Sequence, residues 1–265
     1  MIKKLLVTML MLFTMGVSAL AEQSKEILLA TTTSVRDSGL MDYLLPKFEK
    51  ESGYKVNLIA VGTGKALQMG RDGEADLLLV HAKASEMKFM KEGHGKERRE
   101  LAHNFFVLVG PENNQKMSSV KEALTTIEGE KLEFVSRGDD SGTNKKELAL
   151  WKENNITPEG KWYISSGSGM AATLKIANEL NAYTLSDIAT FLNLKKDLDL
   201  EIKVGEDSEL LNLYSVITID PAKNQHINAE GAYKLMEWFT SDKTKSIIGE
   251  YGKKDFGMPL FIPEK

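Results

Sequence analysis

The chain contains no cysteine. Disulfides are therefore excluded, and an exported fold must be held by apolar burial alone. Attachment of a lipid through cysteine is excluded as well, and a zinc centre would need ligands scattered along the chain. The histidines number only four, His81, His94, His103 and His226, with no metal-ligand spacing among them; surface or packing positions are expected for all. Positive charge is not in excess, since 34 Lys+Arg stand against 38 Asp+Glu for a net charge of −4. That balance argues against general nucleic-acid binding. Three familiar site motifs are missing. Gly62-Thr63-Gly64 runs into Lys65-Ala66-Leu67, without the third glycine of a dinucleotide fingerprint, and neither a Walker A loop nor a Gly-x-Ser-x-Gly elbow occurs. Beyond the N-terminus no segment is apolar enough to span a bilayer.

The 265 residues, 42% hydrophobic and 27% charged, suffice for one large core or two modest ones. The N-terminus reads as a secretory leader. Lys3 and Lys4 precede an apolar run from Leu5 to Val17, and Ala19-Leu20-Ala21 has the small-x-small pattern of a cleavage site. The run falls short of the roughly 20 residues of a transmembrane helix. Cleavage after Ala21 is expected, which removes Lys3 and Lys4 and takes the net charge from −4 to −6. A soluble protein in a periplasm-like space follows.

Short β-rich runs alternate with helical patterns along the rest of the chain. Strands are expected at EILLA (26–30), YKVNLIAV (54–61), ADLLLV (75–80), NFFVLVG (104–110), LEFVS (132–136), KWYISS (161–166), AYTLS (182–186), LEIKV (200–204) and LYSVITID (213–220). Helices are expected between them, among them 38–52 with Leu40, Tyr43, Leu44 and Phe48 on one face. Pro46 should kink or restart that helix, and Ser85 should cap the helix ending at Gly93. The alternation implies an α/β fold with mostly parallel sheets. GPENN (110–114) and GEDSE (205–209) are candidate crossings between two lobes. The three tryptophans and the scattered methionines are expected to pack, with Met170 a candidate pocket wall.

One pattern recurs at the strand-to-helix junctions: hydroxyls combined with glycine. It occurs at Thr31-Thr32-Thr33-Ser34, at Gly62-Thr63-Gly64, at Ser136-Arg137 through Ser141-Gly142-Thr143, and at Ser165-Ser166 through Ser168-Gly169. A helix start has backbone N–H groups without intrahelical partners, and the positive end of the helix dipole lies there. Such a junction either caps its own helix with Ser or Thr or holds an anion, with glycine permitting close approach. In an open α/β sheet these junctions gather at the carboxyl ends of the strands, where ligands bind. Arg137 is the only guanidinium among the four; it either contacts an anion or pairs with Asp139 or Asp140.

The segments TTTS, GTG, SRGDDSGTNKKELALW, GSGMAATL, AYTLSD and GMPLFIP closely resemble the periplasmic tungstate-binding proteins of ABC importers, over essentially the whole chain beyond the leader. One position departs from that pattern: Asn144 stands where histidine commonly follows Ser-Gly-Thr. The resemblance implies a two-lobe solute-binding fold of type II character that closes on its ligand about a hinge. It implies residues 22–105 with 215–265 as one lobe and 106–214 as the other. It also implies tungstate, with molybdate as competitor, as ligand; a membrane permease as partner; a monomer; and no cofactor or catalytic residue. Carried onto this chain, Thr32, Thr33, Ser34, Thr63 and Gly64 would donate from the first lobe. Arg137, Ser141, Gly142 and Thr143 would donate from the second, with Ser168, Gly169 and Met170 added.

The chemistry is consistent with such a site. Tungstate at neutral pH is a fully deprotonated tetrahedral dianion, best met by donors alone. Hydrogenphosphate keeps a proton and gains from one carboxylate acceptor. Asp139 and Asp140 stand close in sequence to Arg137, so a phosphate- or sulfate-binding transport protein is the alternative. An exported phosphoester hydrolase would need a base beside a hydroxyl, and Lys65 is the only one adjacent to a junction. A purely structural protein would use every junction as a cap.

Overall fold

The computed structural model describes residues 25–113 and 117–265; the expected leader and its cleavage site lie outside them. In chain order the first elements are β1 (Glu26–Thr32), α1 (Thr33–Asp37), α2 (Leu40–Ser52), β2 (Lys55–Val61), α3 (Thr63–Asp72), β3 (Leu77–Val80), α4 (Lys83–Lys91) and β4 (Gly95–Pro111). There follow α5 (Val120–Glu130), β5 (Phe134–Ser136), α6 (Gly142–Glu153), β6 (Tyr163–Ser165), α7 (Met170–Leu180), β7 (Thr184–Asp187), α8 (Ile188–Leu194) and β8 (Leu200–Val204). The chain returns through β9 (Leu211–Ile219), α9 (Ala229–Thr240), α10 (Asp242–Glu250), α11 (Lys253–Phe256) and β10 (Ile262–Pro263).

Two sheets result, and one long strand belongs to both. In the first the order is β2–β1–β3–β9–β4–β10. β1 is parallel to β2 and β3, so Leu29 stands beside both Leu58 and Leu77. β4 pairs antiparallel with β9 as far as Phe105 opposite Leu211. At the next residue it changes partner: Phe106 faces Asp187 of β7, and from Leu108 the strand also pairs with β8. β5 and β6 are parallel, and β5 meets β7 where the Val135 N–H donates to the Tyr183 carbonyl at 2.8 Å. The second sheet is thus ordered β6–β5–β7–β4–β8.

Each sheet is covered on both faces, which strand alternation requires. Along β4, Phe106 and Leu108 join a cluster with Leu124, Phe134 and Trp151, whereas Val107 and Val109 join the opposite cluster with Val135 and Leu174. In the first lobe Leu29, Leu44, Phe48 and Phe239 pack on one face, and Ala30, Leu67, Leu78 and Phe89 on the other. Each lobe therefore buries its own two-sided core.

Four local expectations change. The sheets are mixed rather than mostly parallel, because β4 and β9, which carry the chain between lobes, run against their neighbours. α2 continues through Pro46 without a restart. Its apolar face holds Leu40, Met41, Leu44, Leu45 and Phe48, while Pro46 and Asp42 are exposed. The Asp42 carbonyl that loses its partner thus faces water. α4 begins at Lys83, ahead of Ser85, and its first turn is tied by the Glu86 carboxylate, which accepts from the Ala82 N–H at 2.6 Å. β4 starts nine residues before the expected NFFVLVG, at Gly95, because its charged first half has partners: Arg98 donates to Glu86 at 2.9 Å and to Ser215 at 2.6 Å. Gly110 and Pro111 accordingly lie inside the second sheet, opposite Glu201 and Leu200, while Leu211 already pairs in the first.

Candidate functional site

The carboxyl ends of the parallel strands of both sheets point at one another across the cleft, and the four hydroxyl-glycine junctions lie there. β1 ends at Thr32, whose side chain caps α1 by accepting from the Val35 N–H at 3.3 Å. Arg137 follows β5 immediately and is only 2% exposed. Its guanidinium crosses to the first lobe: Nη1 donates to Ser34 Oγ at 3.0 Å and Nη2 to Thr33 Oγ1 at 2.8 Å. Nη2 also pairs with Asp139 at 2.5 Å. Thr143 Oγ1, at the start of α6, lies 3.4 Å from Ser34 Oγ. The expected pair with Asp139 is present, and the same guanidinium also faces the hydroxyls of the first lobe.

The other junctions close around this pair. The Gly62-Thr63-Gly64 turn abuts residues 139–141 so tightly that a methyl at Gly64 would overlap the Asp140 carboxylate. Thr63 is fully buried, and its Oγ1 has no hydrogen-bond partner among the described residues; Arg137 Nε is buried and unpartnered too. Gly169, at the head of α7, lies against Thr33, where a methyl would sit 3.4 Å away. Ser141 Oγ caps α6 by accepting from the Asn144 N–H at 3.2 Å. Gly142 faces His81, and a Cβ there would come within 2.8 Å of the ring.

Besides Ser141, three of the expected site residues turn their side chains elsewhere. Thr32 is engaged by Val35 and His81. Ser168 donates to the Ser166 carbonyl at 3.0 Å. Met170 is fully buried in the apolar core with Val107, Val135 and Leu174, so only its backbone stands at the junction. Its place on the buried face of α7, with Thr173, Leu174 and Ala177, is the helical periodicity that places it in the core.

Several residues at the site carried no motif. His81 is not a surface residue: it is 6% exposed and bonds to Thr32 at 3.1 Å and to Asn212 at 2.9 Å. Burial pushes its ring down to about 4, with the nearby Arg137 charge assisting and the Asn212 bond opposing, so the ring is neutral. Thr32, His81 and Asn212 thus form a hydroxyl–imidazole–amide series like that of some nucleophilic sites. Thr32, however, has no exposed surface and serves as a cap. Behind Arg137, buried Glu147 gathers Ser136 (2.5 Å), Trp151 (2.7 Å), Tyr163 (2.7 Å) and Asn144 (3.2 Å). Asn144 therefore braces the loop from behind. Burial raises the Glu147 carboxyl, against the pull of those donors. Asp187 caps α8, and the Thr190 hydroxyl there lies 3.2 Å from the Ser34 carbonyl oxygen.

A PBP superfamily domain matches residues 18–243. The tungstate-binding protein TupA of Peptoclostridium acidaminophilum is 54% identical over 243 residues, spanning 89% of this chain and 85% of that protein. The chain belongs to the TupA family of the PBP superfamily. Two solved structures agree with it in fold. The tungstate ABC transporter structure from Geobacter sulfurreducens has a TM-score of 0.79 at 40% identity, covering 85% of this chain and 98% of its own. TupA from Desulfovibrio alaskensis G20 has a TM-score of 0.75 at 38% identity, covering 90% and 98%. The expected two-lobe α/β fold is the one found.

In this TupA-family chain the Asp187 carboxyl is fully buried and pushed up to about 6, by burial first and by the Asp37 charge, against the Thr190 bonds and Arg137. A raised carboxyl favours the folded state at low pH and loses that contribution as pH rises from its unfolded value through about 6. Asp187→Asn keeps an acceptor for the Thr190 N–H and carries no charge. Its stability relative to wild type should therefore improve by up to about 3 kcal/mol between pH 4 and pH 7. Urea denaturation at both pH values reads this, and a pH-independent difference would mean that Asp187 does not ionise in that range.

Proposed function

We propose that this chain binds tungstate in the interlobe cleft and delivers it to the membrane permease of an ABC importer, as a monomer without a cofactor. The observation that carries the reading is the donor set. Arg137, Thr33, Ser34, Thr143 and the start of α6 converge from both lobes, and two buried donors there, Thr63 Oγ1 and Arg137 Nε, lack partners among the described residues. Each unmet buried donor costs about 1–3 kcal/mol, which an accepting oxyanion offsets. The carboxylates beside the site are paired with protein donors. Asp139 Oδ2 accepts from Arg137 and Oδ1 from the Ser141 N–H at 3.2 Å, while Asp140 pairs with Lys145. Their nearest partners are thus protein donors, and the rest of the lining is donors, which suits a fully deprotonated dianion. Tungstate and molybdate are nearly equal in size and charge, and both are expected to bind. The names of the TupA relatives support the same ligand.

The hydrolase alternative finds little support. Lys65 is exposed, and among the described residues no base bonds to Thr63 Oγ1. Export through a leader over residues 1–21 completes the proposal.

Calorimetric titration with tungstate, molybdate, sulfate and phosphate tests the ligand: tungstate should bind tightly and phosphate weakly. Tight phosphate binding without a tungstate response would reverse the assignment. Arg137→Ala should weaken tungstate binding by about 1.5–3 kcal/mol, as expected for a hydrogen bond to a charged group; an unchanged Kd would return Arg137 to a purely interlobe pairing role. Gly142→Ala sets a methyl against His81 and should weaken binding about tenfold through incomplete closure. Equal affinity would show that the ring yields.

A further inference from the structure

His81 directly follows β3 and stands where the lobes meet. Its ring lies 5.0 Å from that of Tyr214 on β9 and 6.1 Å from that of Phe106, the first residue of β4 to pair in the second sheet. Gly142 of the second lobe closes over it.

The hydrogen bonds at this ring have one direction. Asn212 Nδ2 gives its two hydrogens to Asn104 Oδ1 at 2.9 Å and Tyr214 Oη at 2.6 Å. Asn212 Oδ1, 2.9 Å from His81 Nδ1, can only accept, so Nδ1 carries the proton. Nε2 is left as an acceptor, and Thr32 Oγ1, 3.1 Å away, donates to it. With its hydrogen so directed, Thr32 Oγ1 presents a lone pair to the Val35 N–H. The series begins at the hinge. Asn104 and Asn212 face one another across β4 and β9, one pair before Phe105–Leu211, where the two strands part. It ends at the turn carrying Thr33 and Ser34, the hydroxyls that Arg137 reaches.

We propose that His81 is a positioning residue of the anion site, tying the cap of α1, and so the aim of Thr33 and Ser34, to β4 and β9 at the point where they part. The proposal rests on the oxyanion-binding reading for its functional consequence. A protonated ring would offer Thr32 a donor instead of an acceptor and leave the Thr32 hydrogen undirected; burial keeps the ring neutral.

The test compares His81→Leu, His81→Gln and Asn212→Leu with wild type in two measurements: tungstate Kd by calorimetry, and amide hydrogen exchange of the ligand-free protein. His81→Leu should weaken tungstate binding about tenfold and speed exchange at Val35, while Leu78 and Leu79 of β3 stay protected. His81→Gln, whose amide can accept from Thr32 and donate to Asn212, should hold Kd within about threefold of wild type and keep Val35 protected. Should His81→Leu fail to fold, Asn212→Leu removes the acceptor that anchors His81 Nδ1 and should speed exchange at Val35 through the loosened ring. An unchanged Kd in His81→Leu overturns the proposal. So does a His81→Gln variant as weak as His81→Leu, or exchange that rises equally in α1 and β3. If wild type itself binds no tungstate, the ligand assignment fails, and the Val35 measurement still decides whether His81 governs α1.

Discussion

A guanidinium buried between two lobes constrains everything around it. Arg137 leaves the second sheet and makes its side-chain contacts largely with the first, to Thr33 and Ser34. A charge so removed from water persists only when its hydrogens are well met. Those partners must therefore lie at the end of β1, opposite the end of β5. That placement requires the carboxyl ends of both sets of parallel strands to converge. Convergence in turn requires the lobes to be joined by strands continuous with both sheets, and β4 meets that requirement by changing partner between Phe105 and Phe106. The same continuity explains why the hinge is close enough to the site to be connected to it by a few hydrogen bonds.

The junctions were legible in the sequence because they obey a local rule. A hydroxyl beside glycine after an apolar run marks a strand-to-helix turn, and such turns gather on one edge of an α/β sheet. Arg137, Thr33, Ser34, Thr63 and Thr143 all follow from that rule. Residues whose roles come from distant contacts were not legible. His81 meets Asn212, 131 positions away, and nothing near either residue announces the pairing. The first half of β4 reads as solvated chain because of its charges. Its extended form depends on β9 and on the pairing of Arg98 with a fully buried Glu86. Capping also competes with ligand binding for the same hydroxyls, and composition does not separate the two uses. Thr32 and Ser141 cap their helices, whereas Thr33 and Ser34 face Arg137.

The two lobes share one strand order, so their junctions correspond in pairs, and the pairs divide the work. The first strand of each lobe, β1 or β5, leads into the groups that meet across the cleft: hydroxyls on one side and the guanidinium on the other. The second, β2 or β6, leads into the glycine turns that close against the opposite lobe, Gly64 on Asp140 and Gly169 on Thr33. The third, β3 or β7, leads to a buried titratable residue, His81 or Asp187, that is engaged with hydroxyls. These two residues converge on the α1 turn from opposite lobes. His81 accepts from Thr32, while Asp187 holds the turn of α8 from which the Thr190 hydroxyl faces the Ser34 carbonyl. Thr32 is thus held by a hydrogen bond, while the Thr190 hydroxyl, whose one hydrogen faces Asp187 at 2.7 Å, packs on the Ser34 carbonyl at 3.2 Å, and the Thr33 and Ser34 hydroxyls remain directed at Arg137. A donor site distinguishes anions by charge and protonation only if its donors cannot rotate to suit each guest. The hold of His81 on Thr32 from one lobe and the packing of the α8 turn on Ser34 from the other supply that rigidity.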